Sequence, residues 1–185
     1  PERPSGVRDR SAAMIEFFAS ALVSSMPAPA FVHLRLHSEY SVIDGIVRID
    51  DAVQAARDDG MGALAITDQA NLFGMVKFYR AARAAGVKPI VGADVLVTNE
   101  AERDKPARLL LLCRNRRGYL NLCTLLSRAW LDNQHRGRAE IRREWLAEGL
   151  ADGLIALSGV LTVKGGAELL QDNMHAAERL AAEWA

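Results

Sequence analysis

Two histidines and an arginine alternate near the start of the chain. Residues 31–36 have the sequence FVHLRL, which predicts a β-strand, so His33, Arg35 and His37 project from one face, because residues two apart share a strand face. A neutral imidazole can bind a metal ion, whereas a guanidinium keeps its proton and cannot. Taken alone, His33 and His37 are more typical of one hydrogen-bonded core histidine and one surface histidine than of two ligands.

Three aspartates follow the predicted strand at intervals. Asp44 lies in the polar loop HSEYSVIDG, Asp68 follows the apolar run ALAIT, and Asp94 lies within PIVGADVLV. Carboxylates at such places can bind cations, but Asp68 can also cap the loop that leads into the next helix.

Other polar and aromatic residues have plainer interpretations. The basic run Arg114, Arg116 and Arg117 could contact a DNA backbone, but a solvated loop before a helix is the favoured reading. Tyr119 and Trp130 recur at helical spacing and are expected in the core.

Neither the cysteines nor the last predicted strand offers a nucleophile. Cys113 and Cys123 lie in apolar runs without metal-type spacing and are expected to be reduced core residues of a cytosolic protein. Ser158 and Gly159 predict a turn at a strand end, since no GxSxG surrounds the serine.

Composition limits the functional classes. Lys plus Arg and Asp plus Glu both total 23, so net charge gives no argument for nucleic-acid binding. Half of the residues are hydrophobic and 25% are charged, as in a globular protein. Residues 12–23 faintly resemble a signal peptide, but Glu16 interrupts them and they are too short to span a membrane. We therefore expect residues 1–25 to be an extension outside the fold and residues 26–185 to form the domain.

Short β-rich runs alternate with helical runs. Strands are predicted over residues 31–36, 63–67, 89–97, 107–113 and 153–158, and helices over 51–59, 71–85, 117–131, 141–147 and the stretch to 185. Gly60 and Gly86 suit left-handed helix ends, and Gly92 suits a bend or the junction of a strand pair. The expected inner faces are Leu72, Met75, Val76, Tyr79 and Ala82 in one helix, and Tyr119, Leu122, Cys123, Leu126 and Trp130 in the other.

This order predicts an α/β fold with parallel strands and right-handed crossover helices. About five strands are too few for an eight-stranded barrel. The last predicted helix reaches Ala185 without a stop signal, so we expect the chain to be incomplete.

Five motifs in order carry a resemblance to a known family. They are FVHLRLHSEYSVIDG at 31–45, ALAITDQANLFGMVKFY at 63–79, KPIVGAD at 88–94, GYLNLCTLLSRAW at 118–130 and GLIALSG at 153–159. Together they resemble the PHP domain (polymerase and histidinol phosphatase) that opens bacterial DNA polymerase III alpha subunits. Stand-alone PHP phosphoesterases share the histidine motif but not this combination. The match is weaker after Gly159.

The resemblance implies a distorted (β/α) barrel, of which this chain would hold a part, followed in intact proteins by the polymerase palm. Competent family members hold three metal ions at the strand ends, where the ions polarise a phosphate and generate hydroxide. The retained positions here are His37, Asp44 and Asp94, with Asp68 adjacent. Ligands are replaced at Arg35, Gln69, Arg108 and Val160.

We therefore predict no functional metal site in this segment. Our hypothesis is that Arg35 and Arg108 supply positive charge to Asp44, Asp68 and Asp94 in place of metal ions, because an unpaired carboxylate cluster would be costly. The divalent metal of polymerisation would belong to the palm, outside this chain.

Three functions remain open at this point. The favoured one is a structural segment of a cytoplasmic DNA-directed DNA polymerase that binds the proofreading exonuclease subunit and other replicase subunits, meets DNA through the intact polymerase and needs no membrane. The alternative is a metal-dependent 3′–5′ exonuclease or phosphoesterase. The third is an inert fragment with exposed strand edges.

Overall fold

A computed structural model describes residues 31–158. Its helices are α1 (Ile49–Asp58), α2 (Met75–Ala85), α3 (Arg116–Asp132) and the short α4 (Arg143–Trp145), which continues into a π-helical turn at Leu146–Leu150. Its strands are β1 (Ala63–Ile66), β2 (Lys88–Val97), β3 (Ala107–Cys113), β4 (Gln134–His135), β5 (Arg138–Ile141) and β6 (Leu154–Ser158).

Strand β2 is the centre of the sheet. The strand order is β4-β5-β2-β3-β6, and β1 also pairs with β2. Pairing is parallel between β1 and β2, as the crossover pattern predicted, and also between β2 and β5, a strand that was not predicted. It is antiparallel between β2 and β3, β3 and β6, and β4 and β5, which the sequence analysis did not predict. The mixed sheet still gives the predicted α/β class.

The two faces of β2 have different neighbours. Ala93, Val95 and Val97 join a buried cluster with Leu122 and Leu125 of α3. Asp94 and Leu96 point to the opposite face, since successive side chains of a strand alternate. A second core forms where α1 and α2 cover β1, with the following buried residues: Ile49, Val53, Ala56, Leu64, Ile66, Phe78, Ala82 and Val87. Asp94 therefore lies on the sheet face away from α3.

The predicted strand at residues 31–36 is not a strand in the structure. The carbonyls of His33 and Leu36 accept hydrogen bonds from the amides of Ala65 and Thr67, at 3.0 and 2.9 Å, so the segment runs beside β1. The ladder is interrupted because the amide of Leu36 donates to Oγ1 of Thr67 at 2.8 Å and not to a backbone carbonyl. The segment nevertheless carries His37 to the carboxyl end of β1.

Helix α2 begins later than predicted and buries a different face. Asn71 does not cap it, because its side chain accepts from the amide of Phe73 at 3.1 Å and donates to the carbonyl of Tyr40, also at 3.1 Å. Phe78 is fully buried, whereas Val76 and Tyr79, predicted on the inner face, are 55% and 49% exposed. The left-handed helix ends predicted at Gly60 and Gly86 are confirmed.

The prediction of a helix at 141–147 is wrong in its first part. Ile141 ends strand β5, which follows β4 through a two-residue turn at Arg136 and Gly137. Both turn residues have positive φ, 51° and 75°, as this tight hairpin requires. Helix α4 begins only at Arg143.

Helix α3 and the remaining strands lie close to their predicted bounds. Strand β3 has the bounds predicted, and β2 is one continuous strand that includes Gly92, where its pairing changes from β1 to β3. In α3 the prediction for Leu122 and Leu126 is confirmed, but Trp130 is 40% exposed and does not belong to the core. Its place is taken by Leu125 and Ala129. The helix predicted towards residue 185 lies outside the described residues.

Candidate functional site

A single carboxylate is the centre of the candidate site, which lies beside the carboxyl end of β1 and within the second half of β2. Oδ2 of Asp94 accepts hydrogen bonds from Nε and Nη2 of Arg35, at 2.9 and 2.5 Å, and lies 3.1 Å from Nε2 of His37. Nη1 of Arg108, on β3, is 3.7 Å from the same oxygen. We call this end of the fold the mouth. Arg35 and His37 come from one segment and Arg108 from β3, and the fold brings both to Asp94.

Asp94 remains ionised although it is only 3% exposed. Burial by itself raises the pKa of the Asp94 carboxyl, but the hydrogen bonds from His37 and Arg35 outweigh it and hold that pKa below its usual value. Arg35 and Arg108 add charge attraction in the same direction. The carboxylate is thus stabilised by protein cations.

His37 joins Asp94 to the second retained aspartate. Its Nδ1 is 2.8 Å from Oδ1 of Asp44, and its Nε2 faces Asp94. The hydrogen bond to Asp94 raises the pKa of His37, partial burial opposes this, and Asp44 adds to the rise. The net result is a pKa above the usual histidine value, which favours an imidazolium between two carboxylates.

Asp68 has a separate, structural set of partners. Its buried carboxylate accepts from the amide of Ser38 at 2.6 Å, from Oγ of Ser38 at 2.8 Å and from Oγ of Ser41 at 2.8 Å. The Ser41 hydroxyl in turn accepts from the amide of Gln69 at 2.9 Å. These hydrogen bonds hold the loop that contains Asp44 against the end of β1, where Asp68 lies. Ser38 and Ser41 were missed by sequence analysis, because only the tertiary contact reveals their role.

The hypothesis of arginine–aspartate pairing holds for one aspartate. Asp94 pairs with Arg35 and lies near Arg108, whereas Asp44 pairs with His37 and Asp68 with serines. Gln69 forms a parallel backbone bridge to Asp94, and its buried Oε1 has no hydrogen-bond partner among residues 31–158.

These residues do not fit the metal cluster that the resemblance implies. A cation seeking Oδ2 of Asp94 would have to displace both the Arg35 guanidinium and His37. Arginine cannot act as a ligand in their place. Within residues 31–158, no group of three or more His, Cys, Asp and Glu side chains is arranged to hold a metal ion.

The other predicted residues lie apart from the mouth. His33 is exposed, with its ring edge-on to Phe31 at a centroid distance of 4.7 Å. Arg114, Arg116 and Arg117 are exposed, but only Arg114 lies in the predicted loop, because α3 begins at Arg116. Val160 and Gly159 lie outside the described residues, and the side chain of Ser158 is not described.

A second buried charge was also missed. Glu140 on β5 is fully buried, with Oε2 3.4 Å from Nη2 of Arg103 and Oε1 3.7 Å from Nη2 of Arg138. The hydroxyl of Thr98 donates to Oε2 at 3.2 Å. This cluster ties the β2–β3 loop to the β4–β5 hairpin.

The described part of the chain contains no helix of the length and apolarity needed to cross a membrane.

Comparison with known proteins places the chain among the relatives that the motifs indicated. The family model described as PHP domain matches residues 33–185. The chain is 47% identical over 159 residues to the DNA polymerase III subunit alpha of Pseudomonas fluorescens, which covers 86% of the chain. It is 47% identical over 148 residues to the subunit of the same name from Escherichia coli K12, over 80% of the chain. The chain spans 13% of the length of each of these relatives. It belongs to the PHP domain family, and the predicted PHP type of α/β fold is thereby confirmed.

Proposed function

We propose that the chain is the N-terminal PHP segment of a bacterial replicative DNA polymerase, the DNA polymerase III alpha subunit, and that the segment itself is a structural and partner-binding domain. The observation that carries its structural role is the engagement of Oδ2 of Asp94 by Arg35 and His37, where a phosphoesterase needs an open metal position. The chemistry of polymerisation, with its divalent metal, would then take place in the palm, in the part of the relatives that this chain does not span.

The partners follow from the same proposal. The segment would bind the proofreading exonuclease subunit and other replicase subunits in the cytoplasm, and would meet DNA through the intact polymerase. Exposed apolar side chains support a partner-binding role, since large apolar side chains at a surface commonly mark interaction sites. Val42, Ile43 and Phe73 are 91%, 82% and 75% exposed.

The partner-binding part is tested with the full-length alpha subunit and its purified exonuclease subunit. We expect a stable complex in biolayer interferometry that survives addition of a chelator, because no step of the binding depends on a metal ion. A matched preparation lacking this segment should bind at least about tenfold more weakly, a loss of roughly 1.4 kcal/mol. Equal binding by both preparations would reject the partner-binding role.

A metal-dependent 3′–5′ exonuclease or phosphoesterase is the second candidate. His37 still lies within hydrogen-bonding distance of both Asp44 and Asp94, and these three ligand types favour this candidate. Its test is metal content and cleavage of single-stranded DNA 3′ ends on one preparation. Stoichiometric metal with chelator-sensitive cleavage that is lost in His37→Gln would establish it, whereas metal-free, inactive protein would support the structural role.

A further inference from the structure

An apolar groove runs along one side of α3. It consists of two adjoining depressions of about 230 and 440 Å³, which share Phe73 and Trp130 as lining residues. The larger one lies against α3, and the smaller one is bounded by the β4–β5 hairpin at residues 137–139. The larger depression alone has the volume of an ordinary binding pocket, about 300–1,000 Å³. The groove therefore has room for side chains of another molecule.

The groove presents apolar side chains to solvent. Leu131 and Phe73 are 82% and 75% exposed, and Val42 and Ile43, which line the smaller depression, are exposed as well. The indole of Trp130 is held in position, because its Nε1 donates to a backbone carbonyl at 2.8 Å. With its N–H engaged, the ring offers mainly apolar surface to the groove. This composition is typical of the core of a protein–protein interface, in which aromatic residues are enriched and charged residues are depleted.

Arg138 is the one charged side chain that lines the groove within residues 31–158. Its Nη2 donates to the carbonyl of Arg103 at 3.2 Å, and its Nη1 donates to the carbonyl of Asp104 at 3.4 Å. Nη2 is also 3.7 Å from Oε1 of Glu140, which is longer than the about 2.7–2.9 Å of a strong charge-assisted contact. The side chain is 31% exposed. A carboxylate that approaches through the groove can therefore form a shorter contact with Arg138 than its present partners do.

The same end of the groove carries surplus positive charge. The guanidiniums of Arg103 and Arg138 share the carboxylate of Glu140, at 3.4 and 3.7 Å, and Arg136 pairs with Asp104 at 3.0 Å. Three cations thus face two carboxylates, and one of these carboxylates, that of Glu140, is fully buried. The complementary charge on a partner is negative.

We propose that this groove binds a segment of the partner subunit that carries apolar anchor side chains and an acidic side chain, and that the acidic side chain pairs with Arg138. The inference rests on the partner-binding role proposed above and names the surface and the chemistry of the contact. Apolar anchors exclude water from the groove, which strengthens the pairing of a carboxylate with the guanidinium. A single strand of nucleic acid fits less well, because its phosphates need a series of cations along a groove, and one cation lines this one.

The apolar part is tested with the full-length alpha subunit and the purified exonuclease subunit in biolayer interferometry. Phe73→Ala should weaken binding about tenfold, as truncation of an aromatic side chain at the centre of an interface does. The matched control is Tyr79→Ala, which removes an aromatic ring that is 49% exposed on α2 and does not line the groove. The control should bind as the unaltered protein does. Equal binding by Phe73→Ala and the unaltered protein would overturn the inference.

The charged part is tested by comparing Arg138→Gln with Arg103→Gln. Both variants remove a cation from Glu140, but only Arg138 lines the groove. Arg138→Gln should weaken binding about tenfold at low salt and about twofold at high salt, because salt screens the contact with the carboxylate. Arg103→Gln should bind as the unaltered protein does. An equal loss in both variants would mean that the hairpin is merely destabilised and that Arg138 has no partner in the groove.

The occupant is identified by a photo-crosslinking residue in place of Leu131, followed by mass spectrometry of the crosslinked complex. We expect crosslinks to a segment of the exonuclease subunit that contains Asp or Glu. Crosslinks to another part of the alpha subunit, to a second copy of it or to a segment without an acidic residue would refute the inference. A complex that forms without such crosslinks refutes it too, although the partner-binding role then stands. If the unaltered alpha subunit forms no complex, both the role and the inference are wrong.

Discussion

At the scale of single residues, the mouth has a nearly buried carboxylate whose partners are a guanidinium and an imidazole. Asp94 is 3% exposed at its side chain, whereas Arg35 is 52% exposed. Substitution of Asp94 and substitution of Arg35 should therefore lower the free energy of unfolding by different amounts. Asp94 is the shared partner of Arg35, His37 and Arg108, so its loss removes three interactions, whereas loss of Arg35 leaves the buried carboxylate with two.

We expect Asp94→Asn to lower the free energy of unfolding by about 3 kcal/mol, because it removes the one negative charge that Arg35, His37 and Arg108 share. Arg35→Met should cost less, since Asp94 keeps its contact with His37 at 3.1 Å. Urea denaturation of both variants measures the difference. Equal losses of unfolding free energy in the two variants would mean that Asp94 contributes no more to stability than its ion pair with Arg35.

The contribution of His37 should depend on pH with a defined sign. Its pKa is raised in the folded chain from the usual 6.5, so its stabilising effect is complete below about pH 6.5 and disappears as pH rises through the raised value. The pKa of Asp94 is lowered, so its effect is present above about pH 4 and disappears as pH falls through the lowered value.

The measurement is the difference in unfolding free energy between the unaltered chain and His37→Gln across pH 5 to 9. This difference should be largest at the acid end of that range and shrink towards the alkaline end. A difference that grew with pH would show that the neutral imidazole, and not the imidazolium, is the form that the fold favours.

At the scale of elements, α3 is fixed to the sheet by a close backbone approach at its first turn. Asn115 caps the helix by accepting from the amide of Gly118 at 3.0 Å. A Cβ on Gly118 would lie 1.9 Å from the carbonyl oxygen of Gly153, so the space beside this glycine is filled by backbone. The start of α3 and the start of β6 are therefore packed as one unit.

Gly118→Ala should destabilise the chain by about 2 kcal/mol, as overpacking does, although alanine is the better helix former by about 1 kcal/mol. Ser127→Ala, at an exposed position of the same helix, should change stability by no more than about 0.5 kcal/mol. Thermal unfolding of the two variants gives the comparison. Stabilisation by Gly118→Ala would contradict the close contact.

The elements were predictable to different degrees for physical reasons. Strand β3 was placed correctly because ARLLLLC is a continuous apolar run between polar turns. Strand β5 was missed because RAEI is short, carries a buried glutamate and offers only Arg136 and Gly137 as a turn signal. His37, Asp44 and Asp94 could be grouped through the resemblance, but the Asp68–serine contacts depend on how a loop folds back.

At the scale of the whole molecule, the described surface keeps a set of apolar side chains in solvent. Val42, Ile43 and Ile46 are 91%, 82% and 92% exposed on one loop beside the mouth. Exposed apolar patches favour association. The chain alone should therefore self-associate as its concentration rises.

Ile43→Ser combined with Ile46→Ser should reduce this association, while the free energy of unfolding stays within about 0.5 kcal/mol, as is usual for surface positions. Sedimentation velocity over a concentration series measures the association, and urea denaturation measures the stability. The matched control is Leu120→Ser, which is 53% exposed on α3. If the control reduces association as strongly as the double variant, the loop is not the contact.

The pairing of β2 with β3 gives the mouth residues a role in folding itself. Leu96 lies opposite Arg108, and Val95 lies opposite Leu109. If β3 shifted by one residue, Arg108 would turn under α3 and Leu109 would turn into the mouth, because neighbouring side chains of a strand point to opposite faces. A guanidinium among Leu122 and Leu125 would have no partner there, which makes the shifted sheet costly. The charged end of this domain thus selects the correct alignment of its own strands, whether or not any ligand binds there.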